Sequence, residues 1–334
     1  MEKIRIIQIG SGGFGQSWLE VAMKYEHVEL VAVVDMMEEN LWRAKQITGL
    51  PGEMLFSSID QALDIKADAV LIVTPPQTHK ELAIKAIQRG FHVMMEKPLA
   101  HTLEEAKELL NVKQNHHKQL MVSQNYRWNS PIQTVKQLLD ADKIGRVEWM
   151  NYSFQRASHF GGWRDRYDHI LLEDMSIHHF DLMRYLLNKN PVEVYAQSYR
   201  PSWSWFQGNP NAHVSIAFED DVHVSYMGSW VTKGKETPWN GEFRLVGEKG
   251  AIELMEDKVT LYDSNNEGQV VPLVDLPYDD RTLSVDHFVQ SIISGNQPAT
   301  SIEDNIKSYE LTCAAIESAV THKVVNLPLS LVQN

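Results

Sequence analysis

The chain has 334 residues, a length that suits two domains better than one core. With 43% hydrophobic and 22% charged residues it has the composition of an ordinary globular protein, and no uncharged apolar run approaches the roughly eighteen residues of a membrane span. A net charge of −13 argues against nucleic acid and against anionic membranes as partners, since both would be repelled at long range.

The first predicted element is a strand, Ile4 to Ile9, and it runs directly into Gly10, Gly12, Gly13 and Gly15. Lys3 and Arg5 precede only a short apolar stretch broken by Gln8, so this segment reads as a strand and not as a signal peptide, and a cytoplasmic protein is expected. A helix from about Phe14 to Tyr25 follows, which would aim its positive end at the loop. Gly10 makes the turn, Gly12 lets backbone amides approach a pyrophosphate, and Gly15 lets helix pack on strand. The apolar run VELVAVVD then closes on Asp35, twenty residues beyond Gly15, where a carboxylate accepts from ribose hydroxyls and repels a 2′-phosphate. Met36 to Asn40 contain no Lys or Arg, so NAD is expected in preference to NADP.

Strands at Ala69–Val73, His92–Met95 and Leu120–Val122 alternate with helices at Thr78–Arg89 and Thr102–His116, a pattern that predicts βαβ units and a parallel sheet. Thr102 with Glu105 three residues on marks a helix start. After about Tyr126 the texture changes. A helix at Pro131–Asp140 leads into alternating segments at Val147–Gln155, Val192–Tyr199, Val214–Phe218, Val222–Trp230, Phe243–Val246 and Val259–Tyr262, which suit an antiparallel or mixed sheet covered by helices on one face. Helices are predicted at Glu173–Leu187, Ser284–Ile293 and Ile302–Val320. The expected division is a dinucleotide-binding domain over residues 1–124 and a substrate-binding domain over 125–334. With no flexible linker between them, the two should pack closely around a cleft at the carboxyl ends of the parallel strands. The single cysteine, Cys313, falls in a helix as a small hydrophobe.

Three stretches carry chemistry. In TPPQTH, the loop after the strand ending at Val73, Thr74, Pro75 and Gln77 lie where a nicotinamide would bind; His79 either borders the cofactor or only begins the next helix. In EKP, Lys97 stands at the end of a buried strand, where an ammonium stabilises an alkoxide, with Glu96 to position it. In EDMSIHHFD, Asp174, His178 and Asp181 share one helix face while His179 points elsewhere, and a carboxylate-backed imidazole is a suitable general base. Two other readings stay open for this stretch: an acid-rich helix start with His178 packed, or a metal site drawn from His159, His169, Asp174, His178 and His179. No HExxH-type motif supports the metal, and none is expected. Trp163, Trp203, Trp205 and Phe206 fall in predicted loops and either stack on a sugar ring or pack as lids and subunit contacts.

Together the glycine loop, TPPQTH, EKP and the spaced Asp174, His178 and Asp181 resemble the Gfo/Idh/MocA oxidoreductases over nearly the whole chain. The resemblance implies a Rossmann domain with a doubly wound parallel sheet, and a C-terminal α/β domain with a large open, mostly antiparallel sheet through which dimers or tetramers form. It also implies a catalytic group of Lys97, Asp174 and His178, a substrate region that includes Arg127, Trp163 and Arg164, and NAD as cofactor. The chain departs from the family pattern at Asp168 to Leu171 and at Ser176, where a glycine is usual, so the pocket is expected to differ in shape. The expected activity is NAD-dependent oxidation of a secondary alcohol on a sugar, cyclitol or related polyol. The alternatives are an NAD-dependent glycosidase and a non-catalytic dinucleotide-binding regulator.

Overall fold

A computed structural model of the chain describes residues 3–329. It divides into two compact units, one made of Met1–Asn125 with Tyr278–Ile306, the other of Tyr126–Pro277 with Lys307–Asn334.

The first unit is a parallel sheet of β1 (Ile4–Ile9), β2 (Val28–Val34), β3 (Leu55–Phe56), β4 (Ala69–Ile72), β5 (His92–Met95) and β6 (Leu120–Val122), in the order β3-β2-β1-β4-β5-β6. The sheet separates helices α1 (Phe14–Lys24), α2 (Glu38–Thr48), α3 (Ile59–Ala62), α4 (His79–Gln88) and α5 (Leu103–Gln114). This is the doubly wound dinucleotide-binding order, in which β1 and β4 flank the point where the winding reverses. The β4 sequence AVLI is buried at every position, as a strand covered on both faces must be. α5 starts as its sequence predicts: Thr102 Oγ1 accepts from the Glu105 amide at 3.2 Å, while the Glu105 carboxylate accepts from the His101 amide at 3.1 Å.

Division at residue 124 does not describe this unit, because helix α8 (Asp280–Ser294) belongs to it as well. Its apolar stripe, Val285, Phe288 and Val289, joins Ile6, Trp18, Val21, Ala22 and Met94 in one core cluster. Nothing local in the sequence marks that destination; the indole of Trp18, fully buried, supplies the surface that the stripe covers.

The second unit is a nine-stranded sheet. Its strands are β7 (Val147–Gln155), β8 (Pro191–Tyr199), β9 (Asn211–Phe218), β10 (Val222–Ser229), β11 (Glu242–Gly247), β12 (Gly250–Met255), β13 (Lys258–Tyr262), β14 (Gly268–Val271) and β15 (Val325–Asn326). They run in the order β14-β13-β12-β11-β7-β10-β9-β8-β15. Among the described residues only the pairing of β7 with β10 is parallel in this sheet. Residues of α6 (Ser130–Asp140), α7 (Ser176–Leu187) and α9 (Ile302–Thr321) join one face in a large core, among them Ile132, Phe180, Met183 and Leu311. Residues of the other phase, such as His213, Ser215, His223 and Ser225, are exposed, as the alternation predicts.

Candidate active site

In the first unit the candidate residues gather at the carboxyl end of the parallel sheet. A Cβ at Gly10 would come within 2.3 Å of the Val73 carbonyl, and one at Gly15 within 2.5 Å of the Gly10 carbonyl, so strand, turn and helix meet at a distance only glycine permits. Gly13 differs: its φ is +39° and an added Cβ would meet nothing within 4 Å, so open space lies over the start of α1. α1 has no side-chain cap and no acid in its first turn. A helix start left uncapped beside open space fits a dinucleotide pyrophosphate, with the amides around Gly12, Gly13 and Phe14 as donors. Gln8, which interrupts the apolar strand, fixes this loop by donating from Nε2 to the Gly10 and Gly15 carbonyls at 2.9 and 2.8 Å. A polar residue inside a buried strand just ahead of a glycine loop was the signal for that role.

Asp35 follows β2. Its Oδ2 accepts from the Ser11 amide at 2.8 Å and the Ser11 hydroxyl at 3.2 Å, and its Oδ1 from the Met37 amide at 2.9 Å and Asn40 Nδ2 at 3.0 Å. The carboxylate is thus pinned beside the glycine loop as a fixed acceptor.

The loops after β4 and β5 are joined through His79. Its ring is fully buried, Nε2 lies 2.9 Å from the Thr74 carbonyl, and Nδ1 lies 2.8 Å from the Pro98 carbonyl. Of the two readings left open for His79 the structure favours the second: the residue begins α4, and its side chain faces two backbone carbonyls and braces the loops. Burial pushes its pKa down, while the two carbonyls oppose that shift. Thr74 is half-buried, and Pro75 and Gln77 are exposed.

Glu96 is buried at the end of β5 and accepts from Trp18 Nε1 at 2.9 Å and from the Lys97 amide at 3.1 Å. Burial holds its carboxyl above the usual range, with the Lys97 charge and the Trp18 N–H working against that shift. Glu96 thus fixes the Lys97 backbone. The Lys97 side chain is half-buried.

In the second unit, Asp174 does not lie on an ordinary helical turn. Leu171–Met175 forms a turn of π-helix that leads into α7, and such wide turns often mark functional positions. The Asp174 carboxylate accepts from Arg164 Nε at 3.3 Å. The hydroxyl of Ser176 donates to the Leu172 carbonyl at 2.6 Å, back into this turn. The His178 ring lies flat on Tyr126, with centroids 4.4 Å apart and planes inclined by 19°. Both Asp174 and His178 are nearly buried.

One expectation here is corrected, that of Arg127. Asp181, on the predicted face of Asp174 and His178, is almost fully buried and accepts from Arg127 Nε at 2.6 Å, Arg127 Nη2 at 2.7 Å and Ser308 Oγ at 2.9 Å. Arg127 was expected at the substrate, yet its guanidinium is buried in this two-pronged pair and lies 5.0 Å from the Tyr185 ring centroid. His179 is a core histidine; Nε2–H donates to the Trp239 carbonyl and Nδ1 accepts from Tyr226 Oη, both at 3.1 Å, and burial pushes its pKa down to about 3.

The remaining aromatic residues divide. Phe206 is buried in the core. Trp203 and Trp205 tie their indole N–H groups to the Val231 and Ser158 carbonyls, at 3.0 and 3.2 Å, and stay part-exposed; His159 stacks on Trp205 at 3.9 Å. Trp163 lies in the short turn Gly162–Arg166, and its side chain is outside the described residues. Among the described residues no group of three His, Cys, Asp or Glu is placed to hold a metal ion.

Comparison with known proteins adds two family matches. An oxidoreductase family with an NAD-binding Rossmann fold matches residues 4–124, and the Gfo/Idh/MocA C-terminal domain matches residues 132–253. Inositol 2-dehydrogenase of Rhizobium meliloti is 30% identical, over 97% of this chain and 99% of that protein. D-apiose dehydrogenase of Paraburkholderia graminis is 27% identical, over 96% and 88%. An oxidoreductase from Agrobacterium radiobacter, solved in complex with NAD+, L-tartaric acid and magnesium, shares the fold with a TM-score of 0.90 at 23% identity, over 97% of this chain and 98% of that one.

Proposed function

This chain belongs to the Gfo/Idh/MocA oxidoreductases and is an NAD-dependent enzyme, and from that premise we propose that it oxidises, reversibly, a secondary alcohol of a sugar, cyclitol or related polyol. The observation that carries this reading is the presentation of Lys97. The lysine follows β5 with its backbone held by a buried carboxylate, in the unit that carries the glycine cradle. The activities named for the similar inositol 2-dehydrogenase and D-apiose dehydrogenase supply the substrate class.

NAD, when bound, supplies the hydride acceptor. In the proposed roles, His178 removes the proton of the reacting hydroxyl, its ring plane set by Tyr126, and Asp174 orients it and favours the imidazolium. The Lys97 ammonium stabilises the negative charge that develops on that oxygen. Arg164, beside Asp174, contacts another hydroxyl. The pinned Asp35 carboxylate favours NAD by repelling a 2′-phosphate. We further propose a cytoplasmic homo-oligomer: no helix among the described residues is long and apolar enough to cross a membrane, and the exposed face of the nine-stranded sheet carries Trp149 and Tyr199.

The test is NADH formation from NAD or NADP with a panel of inositols, aldoses and disaccharides. Turnover with one group and NAD supports the reading. Bound NADH with no turnover of any polyol overturns it in favour of the regulator, and release of free sugar without net NADH favours the glycosidase. Lys97→Ala should lower turnover by about 100-fold or more while leaving NAD affinity within about threefold; lost NAD binding in that variant would refute the role given to Lys97.

A further inference from the structure

The return of residues 278–306 to the first unit brings a cation to the glycine cradle. Arg281 stands in the first turn of α8. Its backbone amide is held by Asp279 Oδ1 at 3.2 Å and by Asp280 Oδ1 at 2.9 Å, and Asp280 in turn bonds the Asn125 amide. Asp279 also takes the Thr282 amide and hydroxyl, at 3.1 and 2.8 Å. The start of α8 is therefore fixed, and the guanidinium reaches the first turn of α1. Nη1 donates to Ser17 Oγ at 2.7 Å, and Cζ lies 5.7 Å from the Phe14 ring centroid. Among the described residues the Arg281 side chain pairs with no carboxylate; the nearby acids Glu96, Asp279 and Asp280 feel its charge without bonding it.

This placement is electrostatically odd for the protein by itself. A cation is favoured at a helix C-terminus and disfavoured at an N-terminus, where the first amides already carry partial positive charge. Arg281 nevertheless contacts Phe14 and Ser17, one turn apart at the start of an uncapped helix that has no acid to neutralise it. Open space lies over the adjoining Gly13. An anion shared by the helix start and the guanidinium removes the conflict, and a guanidinium fork matches phosphate oxygens.

We infer that Arg281 is a ligand of the cofactor's pyrophosphate, closing the glycine cradle from the side opposite the loop. Segment 278–306 is on this view a working part of the cofactor site as well as a cover for Trp18. The inference rests on the NAD reading and fails separately from it.

The experiment measures binding of NADH, ADP-ribose and adenosine to the full-length wild type, Arg281→Gln and Arg281→Lys, at low and moderate salt, with melting temperature as the check on folding. NADH and ADP-ribose, which carry the pyrophosphate, should each bind about 10- to 50-fold more weakly to Arg281→Gln, with a shallower salt dependence. Adenosine, which lacks it, should change by less than about twofold, and Arg281→Lys should recover part of the loss. Equal NADH affinity in wild type and Arg281→Gln overturns the inference. So does a uniform loss for all three ligands that tracks a lowered melting temperature, or unchanged binding with an altered turnover, which would make Arg281 a partner of Glu96 instead. A wild type that binds no NADH would instead overturn the NAD reading itself.

Discussion

The two units hold their candidate catalytic groups by different means. At the carboxyl end of the parallel sheet the fixing contacts run largely to backbone: Gln8 to two glycine carbonyls, His79 to the carbonyls of Thr74 and Pro98, Glu96 to the Lys97 amide. Around α7 they run between side chains, most of them from distant parts of the chain: Arg127 to Asp181 to Ser308 and Tyr126 against His178, with the nearer pair Arg164 to Asp174. Backbone contacts fix where a loop lies and tolerate change in neighbouring side chains. A side-chain network is more brittle, because losing one member strands the others in a medium where unpaired charge is costly.

The largest expected effect tests that brittleness. Asp181→Ala leaves the buried Arg127 guanidinium without its carboxylate and should cost about 3–5 kcal/mol of stability, read as a lowered denaturant midpoint. A midpoint close to wild type would mean that the pair does not support the second unit. Next is the brace in the first unit. His79→Leu removes the ring N–H from between the Thr74 and Pro98 carbonyls and should cost about 1–3 kcal/mol; turnover per folded molecule should drop about tenfold, because Pro98 follows Lys97. Unchanged turnover in the folded fraction would show that the brace serves stability alone.

The smallest effect is one of pH. Burial holds the His179 pKa down at about 3, and burial together with the Lys118 charge holds His92 at about 4, both below the ordinary value near 6.5. His92 Nδ1 also accepts the Gln119 amide, which needs the neutral ring. Between pH about 6.5 and 4 the unfolded chain takes up protons that the folded chain refuses, so stability should fall as pH falls through that window, by on the order of 1 kcal/mol for the partly exposed His92 after solvent screening. His92→Gln keeps an acceptor and should flatten part of the slope; an unchanged thermal midpoint from pH 7 to 4.5 would remove both histidines from the argument.

Much of the first unit was legible in the sequence because its signals are local. β5, β6 and β7 fall where periodicity puts them, and α1 and α5 start where glycine turn and cap predict. α2 was not foreseen: only Ala44 of its eleven residues is buried, so it shows little apolar face. β14, four residues with none buried, escaped for the same reason. In the second unit the Asp174 and His178 pair was visible as a spacing, but the π-turn that carries Asp174 has no sequence mark. The partnership of Asp181 with Arg127 spans 54 residues and could not be read from a helical wheel.

By itself the sequence determined the parallel sheet, the glycine cradle, the acid after β2 and the lysine after β5, since each depends on residues within a few positions of one another. Only the tertiary structure decided that Arg127 and Asp181 neutralise each other, that His79 faces two carbonyls, and that residues 278–306 return to complete the first unit. Those outcomes depend on which surfaces long-range packing brings together and on the cost of burying a charge or donor unpaired, and neither is set by local spacing.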